Sequence, residues 1–137
     1  MRRGLIAATL ALVVALGGVG DALACMRQHN SVYVELSSSR WPQTTDHIAD
    51  AIAAGQPALL HIARDEEDAN RDAAMEGWPT RPSFDRDEYP PAMSDEGGEG
   101  ADVRYIDPSD NRGAGASMGN QLEAWCNTQP FRIRITG

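Results

Sequence analysis

The sequence predicts an α+β domain, a small antiparallel sheet with helices packed on it, and three observations lead there. Residues 31–36, 102–106 and 131–135 alternate apolar with polar side chains and are rich in β-branched and aromatic types, which is strand patterning. Residues 45–54, 65–75 and 117–126 carry apolar residues at helical spacing. These segments interleave within 137 residues, with no internal repeat and no long low-complexity stretch, so one modest core suffices.

Taken in order, the first residues read as a secretory leader. Met1-Arg2-Arg3 is basic, residues 5–19 are almost unbroken apolar, and Ala22-Leu23-Ala24 offers small residues at a cleavage site. Removing residues 1–24 leaves residues 25–137 as a single domain of 113 residues. The apolar run is too short and too early for a membrane span in the mature protein.

Residues 31–36 are the first strand, and 37–42 a turn-rich loop. Thr45 or Asp46 is placed to cap a helix whose Ile48, Ala51 and Ile52 share one face, with Gly55 closing it. Residues 58–62 form a short apolar run, read as a buried strand in which His61 is a satisfied or edge histidine rather than a ligand. Residues 65–75 are an amphipathic helix with a solvated acidic face. Asp68, Asn70 and Asp72 have the spacing of a calcium loop, but Ala73 stands where the turn needs glycine. Pro79 stands where a bidentate glutamate is needed.

From residue 78 to 91 prolines and dense charge replace regular patterning, and an acidic Gly-rich loop follows at 94–100. Residues 102–106 are a second strong strand and 108–115 a polar, glycine-punctuated loop. Residues 117–126 are a helix bearing Met118, Leu122 and Trp125 on one face, and 131–135 are the last strand.

Composition bounds the function. The chain carries a net charge of −8, with arginine as its only cation besides histidine. That balance argues against long-range electrostatic capture of nucleic acid, although it leaves local contacts possible. Two cysteines and three scattered histidines exclude a structural zinc site. Cys25 and Cys126 have three readings: a disulfide closing a long loop, a lipid anchor on Cys25 directly after the leader, or unpaired thiols.

Two constellations carry chemistry. Asp85-Arg86-Asp87-Glu88-Tyr89-Pro90 packs carboxylates beside a guanidinium, and a divalent cation would relieve their repulsion. No Ser–His or Cys–His pairing lies nearby, so carboxylates point to metal-assisted hydrolysis with Asp or Glu as base. Composition alone reads the same stretch as an exposed charged turn. Downstream, Asn111, Asn120 and Glu123 offer hard oxygen ligands suited to magnesium or manganese, and Arg112 between polar and glycine residues suits a phosphate. A plain turn capping a helix accounts equally for that loop.

Together these segments closely resemble the NucA/NucB family of bacterial secreted deoxyribonucleases. The resemblance runs through Arg40-Trp41-Pro42, His47-Ile48, Asp50-Ala51-Ile52, Gly55, Gly77, Pro79-Thr80 and Pro82 into the Asp85 to Pro90 motif. It continues through Glu96-Gly97-Gly98, Gly100-Ala101-Asp102-Val103-Arg104-Tyr105, then Pro108-Ser109-Asp110-Asn111-Arg112-Gly113-Ala114-Gly115 and Gly119-Asn120-Gln121. Two long motifs in order make the signal specific.

The resemblance implies a reduced ββα-metal nuclease core, with Asp87 as the base in the place where many such enzymes use histidine. It implies Mg2+ or Mn2+, held by Asn111 or Asn120, with Glu88 or Glu96 acting directly or through water. Arg86 and Arg112 would neutralise charge on the phosphate. Arg104, Ser109 and Gln121 are the expected substrate-binding residues. The implied protein is a secreted monomer that cuts DNA, and RNA as a second substrate, through backbone phosphates without base readout. A rival from another class is a non-catalytic secreted binding protein or nuclease inhibitor on this scaffold. One departure stands out: compared family members carry cysteines where this chain has Leu60 and Ser94, which puts their crosslink in doubt here.

Overall fold

The computed structural model describes residues 24–137, so the expected leader lies outside the described residues but for Ala24. The chain forms β1 (Val32–Ser37), α1 (Pro42–Ala53), β2 (Leu60–His61), a 3-10 turn (Arg64–Glu66) and α2 (Glu67–Ala74). It continues with β3 (Asp85–Tyr89), β4 (Asp102–Ile106), α3 (Pro108–Leu122) and β5 (Pro130–Thr136). Among the described residues no helix is long and apolar enough to cross a membrane.

The α+β class holds, but the strands form two sheets, and the larger is mixed rather than antiparallel. Its order is β1-β5-β2. β5 runs parallel to β1, from Val32 opposite Phe131 to Ser37 opposite Thr136, and antiparallel to β2. The parallel pair follows from what lies between its strands, since a connection that includes three helices readily returns the chain in the same direction. Val32, Val34 and Leu36 face inward while Tyr33 and Glu35 face water, where Arg134 of β5 stacks on the Tyr33 ring and pairs with Glu35. Ile48 and Ala51 of α1 and Met118 and Leu122 of α3 close the core over Leu60 and Phe131. Each large side chain fully buried there contributes about 1.5–3 kcal/mol.

Two helices start earlier than their sequence patterns predict. The expected loop at 108–115 is the first half of α3, because Asp107 caps it through the amides of Ser109 and Asp110 and Pro108 occupies its first turn. Gly113 is a packing device rather than a loop signal: a Cβ there would sit 2.5 Å from the Trp41 indole nitrogen. Helix α1 begins at Pro42, and neither Thr45 nor Asp46 caps it. The cap comes from across the interface, where Asp110 accepts from the amides of Gln43 and Thr44 and from the Thr44 hydroxyl. The strand expected at 58–62 is only two residues long.

The smaller sheet is the antiparallel β3–β4 hairpin, with Asp87 opposite Arg104 and Arg86 opposite Tyr105. No strand is legible at Asp85–Tyr89 from hydrophobic alternation, because charged side chains occupy both faces. A disulfide joins Cys25 to Cys126 across 101 residues, with Cα atoms 4.9 Å apart. Of the three cysteine readings, the first is therefore the one observed, and it occupies the sulfur a lipid anchor on Cys25 would need.

Candidate active site

β3 has a strand partner on one side only, and along its other edge runs a cleft of about 470 Å³. Thr44 and Ile48 of α1, Asn111, Arg112, Gly115 and Met118 of α3, and Glu67 and Arg71 of α2 line it, with β3 between them. Strand geometry splits the charge cluster. Asp85, Asp87 and Tyr89 point to one face, and Arg86 and Glu88 to the other.

Asp87 is 8% exposed. Its Oδ2 lies 2.6 Å from Nδ1 of His47, which comes from the core side of α1 and is fully buried. Nε2 of the same ring lies 2.8 Å from Oδ1 of Asp102 on β4. Burial pushes the Asp87 carboxyl above its ordinary value, partly opposed by His47. For His47 burial acts to lower the value, but the bonds to Asp87 and Asp102 outweigh it and the net direction is upward. A carboxylate with raised proton affinity in a cleft is suited to accept a proton from water.

The neighbouring groups are held by specific partners. Arg112 grips Asp85 with a two-pronged contact, Nε to Oδ2 at 2.8 Å and Nη2 to Oδ1 at 2.9 Å. This fork, aided by a long contact from Asn111, holds the Asp85 carboxyl below its usual range. Glu88 is pushed up by burial, against the opposing charge of Arg71 at 3.5 Å. Arg86 donates to the Trp78 carbonyl at 2.7 Å.

Of the residues singled out from sequence, Asp87, Glu88, Arg86, Asn111 and Arg112 line the one cleft. The others lie apart. Asn120 is exposed farther along α3, about 13 Å from Asn111 by helical rise. Glu96 bonds His61, which borders a separate hollow, through Nδ1 at 2.6 Å and the backbone amide at 2.9 Å. Arg104 pairs with Asp50 at 3.0 Å. The Ser109 hydroxyl donates to its capping partner Asp107. Gln121 clasps the backbone of Glu35 through both ends of its amide, tying α3 to β1.

Three cleft or partner residues carry no role in the sequence reading: His47, which enters there only as part of the family resemblance, Arg71 and Thr44. His47 has a signal in hindsight. It sits beside Ile48 on the apolar side of α1, and a ring buried there requires polar partners. Arg71 lies in a segment whose charge density reads as solvated.

The family model "Deoxyribonuclease NucA/NucB" matches residues 63–132, which takes in α2, both hairpin strands, α3 and the start of β5. A curated relative, the "DNA-entry nuclease" of Bacillus subtilis (strain 168), is 47% identical over 85 residues. That alignment covers 62% of this chain and 58% of the relative, so the chain matches little more than half of the relative's length.

Proposed function

The chain belongs to the Deoxyribonuclease NucA/NucB family, and on that premise we propose that it is a metal-dependent endonuclease that hydrolyses DNA phosphodiester bonds with Asp87 as base. The observation that carries the reading is that Asp87 of β3 and Asn111 and Arg112 of α3 line one cleft in a β-β-α order. This is the order a reduced ββα-metal core requires.

In this mechanism a phosphodiester lies along the open edge of β3. Asp87 takes a proton from water as the water oxygen bonds to phosphorus and the P–O3′ bond breaks. Its buried setting favours that transfer by raising its proton affinity. Arg112, held rigid by Asp85, presents its remaining guanidinium edge to phosphate oxygens, and Arg86 and Arg71 add positive charge along the cleft.

The donor set agrees with Mg2+ or Mn2+. The Asn111 side-chain oxygen has no hydrogen-bond partner among the described residues and shares the cleft with carboxylates, the hard oxygens these ions take. When bound, the ion supplies Lewis-acid stabilisation of charge on the phosphate and the departing oxygen. Placement favours Asn111 over Asn120 as its holder. Glu96, turned toward His61, is disfavoured.

We propose that the protein acts as a monomer and outside the cytosol, the compartment being supported by the Cys25–Cys126 bond, since disulfides persist in oxidising compartments. The test is plasmid nicking with magnesium or manganese, with and without chelator, for wild type and Asp87→Ala. Cleavage that needs metal and disappears in Asp87→Ala is expected. An intact plasmid across several divalent metals removes the enzyme reading. A parallel RNA substrate decides the second target.

A further inference from the structure

His47 is built into the site in a way that motif reading does not reveal. The ring is 0% exposed, yet both nitrogens face carboxylate oxygens, Asp87 at 2.6 Å and Asp102 at 2.8 Å. A neutral imidazole has one N–H, and its other nitrogen is an acceptor. Ionised carboxylates only accept, so the doubly protonated ring is the form that satisfies both. Resting on the nuclease reading above, we propose that His47 is the positioning residue of the site. It is a buried imidazolium, clamped between Asp102 and Asp87, that holds one Asp87 oxygen and leaves the other to face the cleft.

Three observations support this role. The Asp87 Oδ1 has no hydrogen-bond partner among the described residues, and Asp87 lines the cleft, so one oxygen is tethered and one is available. Asp102, with a half-exposed side chain, adds a second carboxylate partner that a lone His–Asp contact would lack. Burial and Arg104 of β4 oppose the cation, and Asp87 from β3 and Asp102 from β4 outweigh them, while Asp110 from α3 bears on Asp87. Arg104 is itself drawn off by Asp50 of α1 at 3.0 Å. In the Ser–His–Asp arrangement a carboxylate orients a histidine base. Here the roles are exchanged: the histidine orients a carboxylate base and offsets the cost of burying its charge.

The test joins a spectroscopic readout to a kinetic one. Long-range proton–nitrogen NMR of the whole protein reads the protonation of each ring, with His47 assigned by comparison with His29→Gln and His61→Gln, neither of which disturbs the core. Both His47 nitrogens should be protonated at neutral pH and remain so well above the ordinary imidazole range. Asp102→Asn, at a half-exposed position the fold tolerates, should move the His47 titration about one pH unit lower by removing a neighbouring negative charge. The alkaline limb of kcat/KM for plasmid cleavage in magnesium should move with it, through kcat rather than KM. A merely structural histidine would leave that limb in place.

A ring that is neutral at pH 7, or a limb that stays put while the resonance moves, overturns the positioning role alone. Absence of cleavage by wild type in every divalent metal removes the nuclease reading, and the positioning role with it.

Discussion

Asp110 of α3 caps a helix that is not its own: its Oδ1 accepts from the Thr44 amide at 3.0 Å and from the Thr44 hydroxyl at 2.8 Å. The same carboxylate takes the Gln43 amide, while the Gln43 side chain accepts from the Asp107 amide at the start of α3. The two helix starts are thus tied reciprocally, and α1 carries His47 into place by this tie. Asp110→Ala should cost about 2 kcal/mol, the upper end for a lost cap, read as a lower urea midpoint with unchanged slope. Activity should fall further than stability, because α1 positions the ring behind Asp87.

Glycines on α3 separate into two kinds. Gly113→Ala drives a methyl into the Trp41 indole and should destabilise by about 1–3 kcal/mol. Gly119→Ala meets nothing within 4 Å and should stabilise by about 0.5–1 kcal/mol, through helix propensity alone. Paired thermal melts check both signs.

The Asp87 carboxyl stands above its ordinary value of 3.8. A base works ionised, so kcat/KM should fall on the acid side around a pH above that value, not at it. Asp87→Asn should lower kcat by about 10²–10⁴-fold, the span of a lost general base, with circular dichroism unchanged.

Stability should also fall at alkaline pH. His47 is raised in the folded protein relative to 6.5, so its contribution is complete below 6.5 and is lost as pH rises through the folded value. Asp87 and Glu88 are raised as well, but from carboxylate values, so their favourable contribution is confined to the acid end. Melting temperature should therefore decline above pH 6.5, and in Asp102→Asn the decline should be smaller and complete at a lower pH.

The cysteine bridge closes a loop of 101 residues. Reducing it, or replacing Cys126 with serine, should lower unfolding free energy by about 5 kcal/mol on the chain-entropy estimate, measured by denaturation with and without reductant.

Much of this architecture was legible beforehand, for identifiable reasons. β1, β4 and β5 bury one face each, so alternation located them within a residue or so. The acidic motif drew attention to Asp87 and Glu88 and the downstream segment to Asn111, because such residue types stand out in sequence, and the three do line one cleft. What stayed hidden depended on partners distant in the chain. β3 has charge on both faces and is a strand only through β4. The first half of α3 resembles a loop until Trp41 is seen filling the space at Gly113. His47 meets Asp87 and Asp102 at separations of 40 and 55 residues, which no local pattern encodes. The parallel pairing of β1 with β5 was equally invisible, since alternation is silent about strand direction.

That pairing bears on how the protein is made. β5 occupies the middle of the order β1-β5-β2, although it follows both of its neighbours, and every other described strand, in the chain. A nascent chain that has reached Leu122 already contains every residue of the cleft, but β1 and β2 then have no strand between them and Val34, Leu36 and Leu60 lack their shared cover. The core is therefore completed by its most sequence-distant contacts, which form late and slowly. Synthesis of the cleft residues thus precedes completion of the core that holds them, so a nascent chain carries the parts of the proposed site before their working arrangement.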